Sequence, residues 1–127
     1  MTSQAQGLVL LVEDDVDTRL AYRALLEHAG WSVREAGDGE QALRSAADEP
    51  PSLVIVDISI PGMDGWETTR RLKLDERTRN VPVLVITGHA LDEDRQRAKS
   101  LGCAGYMAKP LSPTSFVAEV GRLLGER

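Results

Sequence analysis

Short apolar segments alternate with amphipathic segments along the whole chain. The apolar segments are short enough to predict buried or half-buried β-strands, and they fall at residues 8–12, 31–36, 53–56, 81–86 and 104–108. An amphipathic segment follows each strand, and three of these begin with capping signals at Asp38, Asp64 and Ser112. Five strand–helix repeats predict an α/β fold, in which helices cover both faces of one parallel sheet.

Polar groups stand where four of the five predicted strands end. Strand one is followed by Glu13 and Asp14, strand three by Asp57, strand four by Thr87 and strand five by Lys109. In an open parallel sheet, ligands bind beyond the carboxyl ends of the strands, at the point where the strand order reverses. With the order 2-1-3-4-5, strands one and three are neighbours about 5 Å apart. Asp14 and Asp57 are therefore expected to lie close together.

This arrangement of acids predicts a metal site. Three carboxylates at one sheet edge repel each other, and a single lysine balances them poorly. Mg²⁺ is the expected ion, because it prefers oxygen ligands and is held by one or two carboxylates together with water. An ionised Asp57 is also a potential nucleophile toward phosphorus, forming an aspartyl phosphate. Thr87 and Lys109 are then expected to hold the phosphoryl oxygens.

Composition and charge narrow the class of protein. A chain of 127 residues is expected to form one domain, here residues 7–125 after a loose tail at residues 1–6. The formal charge of −5 argues against direct DNA binding. No apolar segment approaches the ~20 residues of a membrane-spanning helix. The single cysteine, Cys103, fits a reducing compartment. We expect a cytoplasmic protein that does not bind membranes.

Four pieces of sequence occur in a characteristic order at the predicted strand ends. They are VEDD, VDISIPGMDGWE, VITGHA and YMAKP. Together they resemble the receiver domains of two-component response regulators, of which the chemotaxis regulator is the simplest relative. The resemblance extends from Gly7 to about Leu124. It implies a flavodoxin-like doubly wound fold, a (βα)5 chain whose five-stranded parallel sheet has the order 2-1-3-4-5.

The resemblance also implies chemical roles for particular residues. Asp57 would accept a phosphoryl group from a sensor histidine kinase or a histidine phosphotransfer protein. Mg²⁺ would be held by Asp14, by Asp57 and by the backbone carbonyl of Ser59, while Glu13 would act mainly through water. Glu13 replaces the commoner aspartate of the family, which lengthens its reach to the metal. Lys109 would pair first with Asp57 and then with the phosphoryl group.

A conformational switch is implied by the same resemblance. Thr87 would turn its hydroxyl toward the phosphate, and Tyr106 would move inward to fill the space that Thr87 leaves. These movements would change the surface of helix four, strand five and helix five for an unidentified downstream protein. Ser59 and His89 would flank the phosphate and tune its lifetime. The bond between Lys109 and Pro110 would be cis.

Several other functions compete with a phosphoacceptor signalling domain. A flavin electron carrier has the same fold, but Glu13 and Asp14 would repel its phosphate. A phosphohydrolase of the haloacid dehalogenase kind would place its nucleophile after strand one and would need a cap, which is not visible in the sequence. A pseudo-receiver adaptor would not need an intact Asp57, Thr87 and Lys109. A receiver excised from a hybrid kinase also fits, although the ends MTSQAQ and LLGER favour a complete protein.

Overall fold

The computed structural model describes residues 7–58, 64–88 and 91–125, and this part of the chain contains five strands alternating with five helices. The strands are β1 (Leu8–Val12), β2 (Ser32–Ala36), β3 (Leu53–Asp57), β4 (Val83–Thr87) and β5 (Gly105–Ala108). The helices are α1 (Val16–His28), α2 (Gly39–Asp48), α3 (Gly65–Leu74), α4 (Asp92–Ser100) and α5 (Pro113–Leu123). The strands form one parallel sheet of order β2-β1-β3-β4-β5, which confirms the predicted fold.

The sheet separates two apolar cores because alternate residues of each strand point to opposite faces. One core packs under α2, α3 and α4 and contains Leu10, Val12, Ala42, Ala46, Val54, Val56, Trp66, Leu72, Val83, Val85 and Ala98. The other packs under α1 and α5 and contains Val9, Leu11, Leu26, Ile55, Leu84, Ile86, Phe116 and Val120, with Trp31, Val33 and Leu53. Burial on both faces explains why β1, β3 and β4 are continuous apolar runs rather than alternating ones.

Four of the five helices begin with a side-chain cap that the local sequence supplies. Asp15, Asp38, Asp64 and Ser112 accept hydrogen bonds from the backbone N–H groups of Thr18, Gln41, Glu67 and Ser115. The three caps that the sequence predicts are therefore confirmed. α4 differs, because Leu91 stands at its cap position and makes no side-chain hydrogen bond there. Ala98 is the one buried residue of α4, so its buried face is small.

The ends of some elements differ from the sequence-based prediction by one or two residues. The fourth strand begins at Val83 rather than Val81 and continues through Thr87. The amide of Val81 instead donates to the carbonyl of Thr78 in a turn, and Pro82 has no amide to donate. Trp31 precedes β2 rather than starting it, and its ring is buried in the α1–α5 core.

The start of α3 lies unusually close to the end of β3. A β-carbon at Gly65 would stand 2.3 Å from the Cα of Ile58 and 2.9 Å from the carbonyl oxygen of Asp57. The amide of Gly65 donates to the carbonyl of Ile58 at 3.3 Å. A glycine is needed here because any side chain would collide with backbone.

Among the helices of the described residues, none has both the length and the apolar character to cross a bilayer.

Candidate functional site

The carboxyl ends of the central strands bring the predicted site residues to one edge of the sheet. Val12 pairs with Val56 in the β1–β3 ladder, so Glu13 emerges beside Asp57. Asp57 pairs with Ile86, and Thr87 follows one position further along β4. The amide of Lys109 donates to the carbonyl of Thr87 at 2.8 Å, which anchors the end of β5.

The carboxylates meet as the sequence predicts. Glu13, Asp14 and Asp57 each place a carboxylate oxygen within 4.8 Å of the other two. Glu13 and Asp57 are buried, with 2% and 5% of their surfaces exposed, whereas Asp14 is exposed. The ammonium of Lys109 lies 2.9 Å from Oδ2 of Asp57 and 3.8 Å from Oε1 of Glu13. Lys109 thus contacts two of the three acids.

The electrostatics of the cluster show a surplus of negative charge. Burial, followed by the charge of Asp57, raises the pKa of Glu13 to about 7, although the amide of Asp15 and the charge of Lys109 oppose this shift. Burial lowers the pKa of Lys109, but the hydrogen bond to Asp57 and the nearby carboxylates outweigh it, so that pKa is raised. The cluster therefore favours the binding of a further cation.

The donor set fits Mg²⁺ in its chemistry. All three side chains offer carboxylate oxygens, the hard ligands that Mg²⁺ prefers, and the exposure of Asp14 leaves one side open to the waters that the ion retains. A bound divalent ion would also keep the acids ionised despite their mutual repulsion. Ser59, whose carbonyl the sequence suggests as a ligand, and His89 lie outside the described residues, so their roles stay predictions.

The two predicted switch residues occupy neighbouring strands. Thr87 is fully buried at the end of β4. Tyr106 is half-buried on β5, where it pairs with Val85, and the guanidinium of Arg95 lies 5.1 Å from the centre of its ring. Burial, ahead of the charge of Asp94, raises the pKa of the Tyr106 hydroxyl. The geometry brings the two residues to adjacent strands, while their movement remains a prediction.

The predicted cis bond is confirmed, and it shapes one wall of the site. Lys109–Pro110 is a cis peptide bond in the structure. Beside it lies a surface cavity of about 530 Å³ lined by Thr18, Ala21, Tyr22, Lys109, Pro110 and Leu111. The cavity runs from Lys109 to the exposed side of α1.

Two residues near the site were not singled out in the sequence. Arg19 donates from Nη1 to the carbonyl oxygen of Glu13 at 2.8 Å and lies 3.0 Å from a carboxylate oxygen of Glu35. Tyr22 lines the cavity beside Lys109 and packs its ring on Phe116, with centroids 5.1 Å apart. Both lie on α1. The sequence periodicity of α1 is that of an ordinary amphipathic surface helix, so it does not distinguish these two residues from their neighbours.

Comparison with known proteins gives a consistent result. The family model described as the response regulator receiver domain matches residues 9–121. The chain is 34% identical over 118 residues to the polar-differentiation response regulator DivK of Brucella ovis, covering 93% of this chain and 96% of that protein.

Solved structures agree with this match. The chemotaxis protein CheY4 of Vibrio cholerae is 28% identical, with a TM-score of 0.88 and coverage of 93% of this chain and 98% of that chain. The receiver domain of the sensor histidine kinase PA1611 of Pseudomonas aeruginosa PAO1 is 32% identical, with a TM-score of 0.86 and coverage of 94% and 98%. That crystal structure has a magnesium ion coordinated in its active site cleft.

Proposed function

Because the chain belongs to the response regulator receiver domains of two-component signalling, we propose that Asp57 is its phosphoacceptor. The observation that carries this proposal is the position of the Asp57 carboxylate. It is 5% exposed, stands within 4.8 Å of two other carboxylates and accepts a hydrogen bond from Lys109 at 2.9 Å. A carboxylate held in this way is oriented for attack and has a cation beside it.

The reaction transfers a phosphoryl group from a phosphohistidine of a sensor kinase or a phosphotransfer protein. One carboxylate oxygen of Asp57 forms a bond to phosphorus while the phosphorus–nitrogen bond of the donor breaks. The imidazole leaves with the electron pair of that bond. Lys109 then offers its ammonium to a phosphoryl oxygen, and the hydroxyl of Thr87 donates to another. This role is one of signalling rather than turnover of a separate substrate, although the domain assists its own phosphorylation and dephosphorylation.

Glu13, Asp14 and Asp57 would hold Mg²⁺ in this scheme. When bound, the ion would supply positive charge to the oxygens of the transferred group. We assign Asp14 and Asp57 as direct ligands and Glu13 as a ligand through water, with the backbone carbonyl of Ser59 added on the sequence resemblance. His89 and Ser59 are assigned to the lifetime of the phosphate on the same resemblance.

The output surface is formed by α4, β5 and α5. The small buried face of α4 supports this assignment, because an element with few apolar contacts moves at low cost. Two cation–π contacts hold it, Arg95 over Tyr106 at 5.1 Å and Arg97 over Trp66 at 4.9 Å. Phosphorylation of Asp57 would draw Thr87 toward the phosphate and Tyr106 inward, which removes the ring that Arg95 covers.

The donor docks on the exposed side of α1. Val16 and Leu20 are one helical turn apart and are 56% and 57% exposed, so they present an apolar pair to solvent. The cavity between α1 and Pro110 is lined on the same helix by Thr18, Ala21 and Tyr22, and it reaches Lys109. A donor helix seated there would place its phosphohistidine at the acid cluster. We place the protein in the cytoplasm, where such donors present their phosphohistidine.

The test is intact mass after incubation with acetyl phosphate, with and without Mg²⁺. Wild type is expected to gain one phosphoryl group in the presence of Mg²⁺, and Asp57→Asn is expected to gain none. Asp64→Asn is the matched control, because Asp64 is an exposed cap of α3 and asparagine caps equally well. Equal labelling of Asp57→Asn, or no labelling of wild type by acetyl phosphate or a phosphohistidine donor, would contradict the proposal.

A further inference from the structure

Arg19 connects three elements at the rim of the acid cluster. It lies on α1, its Nη1 donates to the carbonyl oxygen of Glu13 at 2.8 Å, and its Nε lies 3.0 Å from Oε1 of Glu35 on β2. Its side chain is 21% exposed, so these hydrogen bonds are partly shielded from water. The planar guanidinium presents donors in a fixed geometry to both partners at once, which the flexible ammonium of a lysine does not reproduce.

The turn that carries the acids is held from two sides. The amide of Glu13 donates to the carbonyl of Ala36 at 3.0 Å, and its own carbonyl accepts from Arg19. That carbonyl shares a rigid peptide plane with the amide of Asp14. Arg19 therefore fixes the plane from which the side chain of Asp14 projects. Among the described residues, no side-chain hydrogen bond or ion pair holds the exposed carboxylate of Asp14.

Arg19 is itself anchored by Glu35, which also pairs with Arg23. The second carboxylate oxygen of Glu35 lies 2.6 Å from Nη1 of Arg23, and Arg23 also pairs with Glu27 at 2.9 Å. The hydrogen bond from Arg23, aided by the charges of both arginines, lowers the pKa of Glu35. Glu35 contacts Arg19 through Oε1 and Arg23 through Oε2, so the contact that holds the Arg19 guanidinium near the Glu13 carbonyl does not itself require Arg23.

We propose that Arg19 is a positioning residue for the metal site. It acts through the backbone of Glu13 and presets the orientation of the Glu13 and Asp14 carboxylates before Mg²⁺ binds. The inference rests on the proposed function, since it assumes that these acids bind the ion. Removing an outer partner of a metal ligand typically weakens metal affinity about 10- to 100-fold, and we expect a loss in this range for Arg19→Gln.

The experiment compares three variants of the full chain by titration with Mg²⁺, followed in amide nitrogen–proton NMR spectra. Arg19→Gln removes the guanidinium that contacts the Glu13 carbonyl. Arg19→Lys keeps the positive charge without the planar guanidinium. Arg23→Gln is the matched control, because it removes a guanidinium from the same Glu35 but leaves the Glu13 carbonyl bonded. We expect a Kd raised about 10- to 100-fold in Arg19→Gln, an intermediate value in Arg19→Lys and a change below about twofold in Arg23→Gln.

The metal-free spectra give a second readout that general destabilisation does not reproduce. The amide signals of Asp14 and Asp15 are expected to shift in Arg19→Gln and to stay in place in Arg23→Gln. A wild-type Kd in both Arg19 variants, or an equal loss in Arg23→Gln, would overturn the inference while leaving the proposed function intact. Failure of wild type itself to bind Mg²⁺ would overturn both. If Arg19→Gln does not fold, Arg19→Lys decides the question on the same criteria.

Discussion

Replacement of Gly65 by alanine tests how closely the start of α3 packs against the end of β3, the strand that carries Asp57. The added β-carbon would lie 2.3 Å from the Cα of Ile58, 3.0 Å from its amide nitrogen and 2.9 Å from the carbonyl oxygen of Asp57. Non-bonded carbon atoms rest about 3.5–4.0 Å apart, so the carbon–carbon contact alone requires a shift of roughly 1.2 Å or more. All three neighbours are backbone atoms, and no change of rotamer relieves the collision.

The expected cost follows from this geometry. Overpacking of a well-filled site costs about 1–3 kcal/mol, and a collision with backbone lies at the upper end of that range. The better helix propensity of alanine returns at most about 1 kcal/mol. We expect Gly65→Ala to lose roughly 2–3 kcal/mol of unfolding free energy, which corresponds to a fall in Tm of roughly 6–15 °C for a domain of this size.

The assay is urea and thermal unfolding followed by far-ultraviolet circular dichroism, with Gly37→Ala as the matched control. A β-carbon at Gly37 meets only side-chain atoms, the nearest being Nη1 of Arg19 at 3.6 Å, an ordinary contact. That variant is expected to stay within about 1 kcal/mol of wild type. Because the displaced backbone carries Asp57, Gly65→Ala is also expected to bind Mg²⁺ more weakly. A Gly65→Ala protein within 1 kcal/mol of wild type would refute the packing argument.

Three further perturbations probe individual charged and titratable side chains. Lys109→Gln leaves the buried Asp57 carboxylate without its ammonium, so we expect a loss of about 1–3 kcal/mol of unfolding free energy without metal. Mg²⁺ is expected to raise the urea midpoint of this variant more than that of wild type. An unchanged midpoint would contradict this expectation. Burial raises the pKa of the Cys103 thiol to about 11, so alkylation of the folded protein at pH 8 is expected to be roughly 100-fold slower than alkylation of urea-denatured protein. The rate in the folded protein is expected to rise about tenfold per pH unit. Equal rates in folded and denatured protein would show an exposed thiolate. Arg95→Ala is expected to cost about 0.5–1 kcal/mol and to shift the ring signals of Tyr106 in NMR spectra, whereas unmoved signals would show that the two side chains do not stack in solution.

The sheet was predictable because each of its central strands can be recognised from its own short stretch of sequence. β1, β3 and β4 are buried on both faces, so each is an uninterrupted apolar run that no surface helix would show. The caps at Asp38, Asp64 and Ser112 were equally local, since each requires only a short polar side chain before a helical segment. The boundary errors also have local causes. Val81 is apolar like a strand residue, but its amide is used in a turn before Pro82.

The site was predictable to the extent that it depends on strand ends. Parallel strands deliver their final residues to one edge, so Glu13, Asp57 and Lys109 could be placed together without coordinates. The supporting contacts could not be found in this way. Arg19 reaches the Glu13 carbonyl and Glu35 across three elements, and nothing in the spacing of these residues distinguishes that contact from a solvated helix face.

The identity of the phosphorylated residue is the central claim, and it is tested most directly by chemical mapping. An aspartyl phosphate is an acyl phosphate, and borohydride reduces it to the alcohol, which converts the aspartate to homoserine. Wild-type protein treated with acetyl phosphate and Mg²⁺, reduced and then digested, is expected to carry homoserine at position 57 in the peptide that contains the end of β3. Homoserine at Asp14, or a phosphorylated protein with unmodified Asp57, would contradict the account.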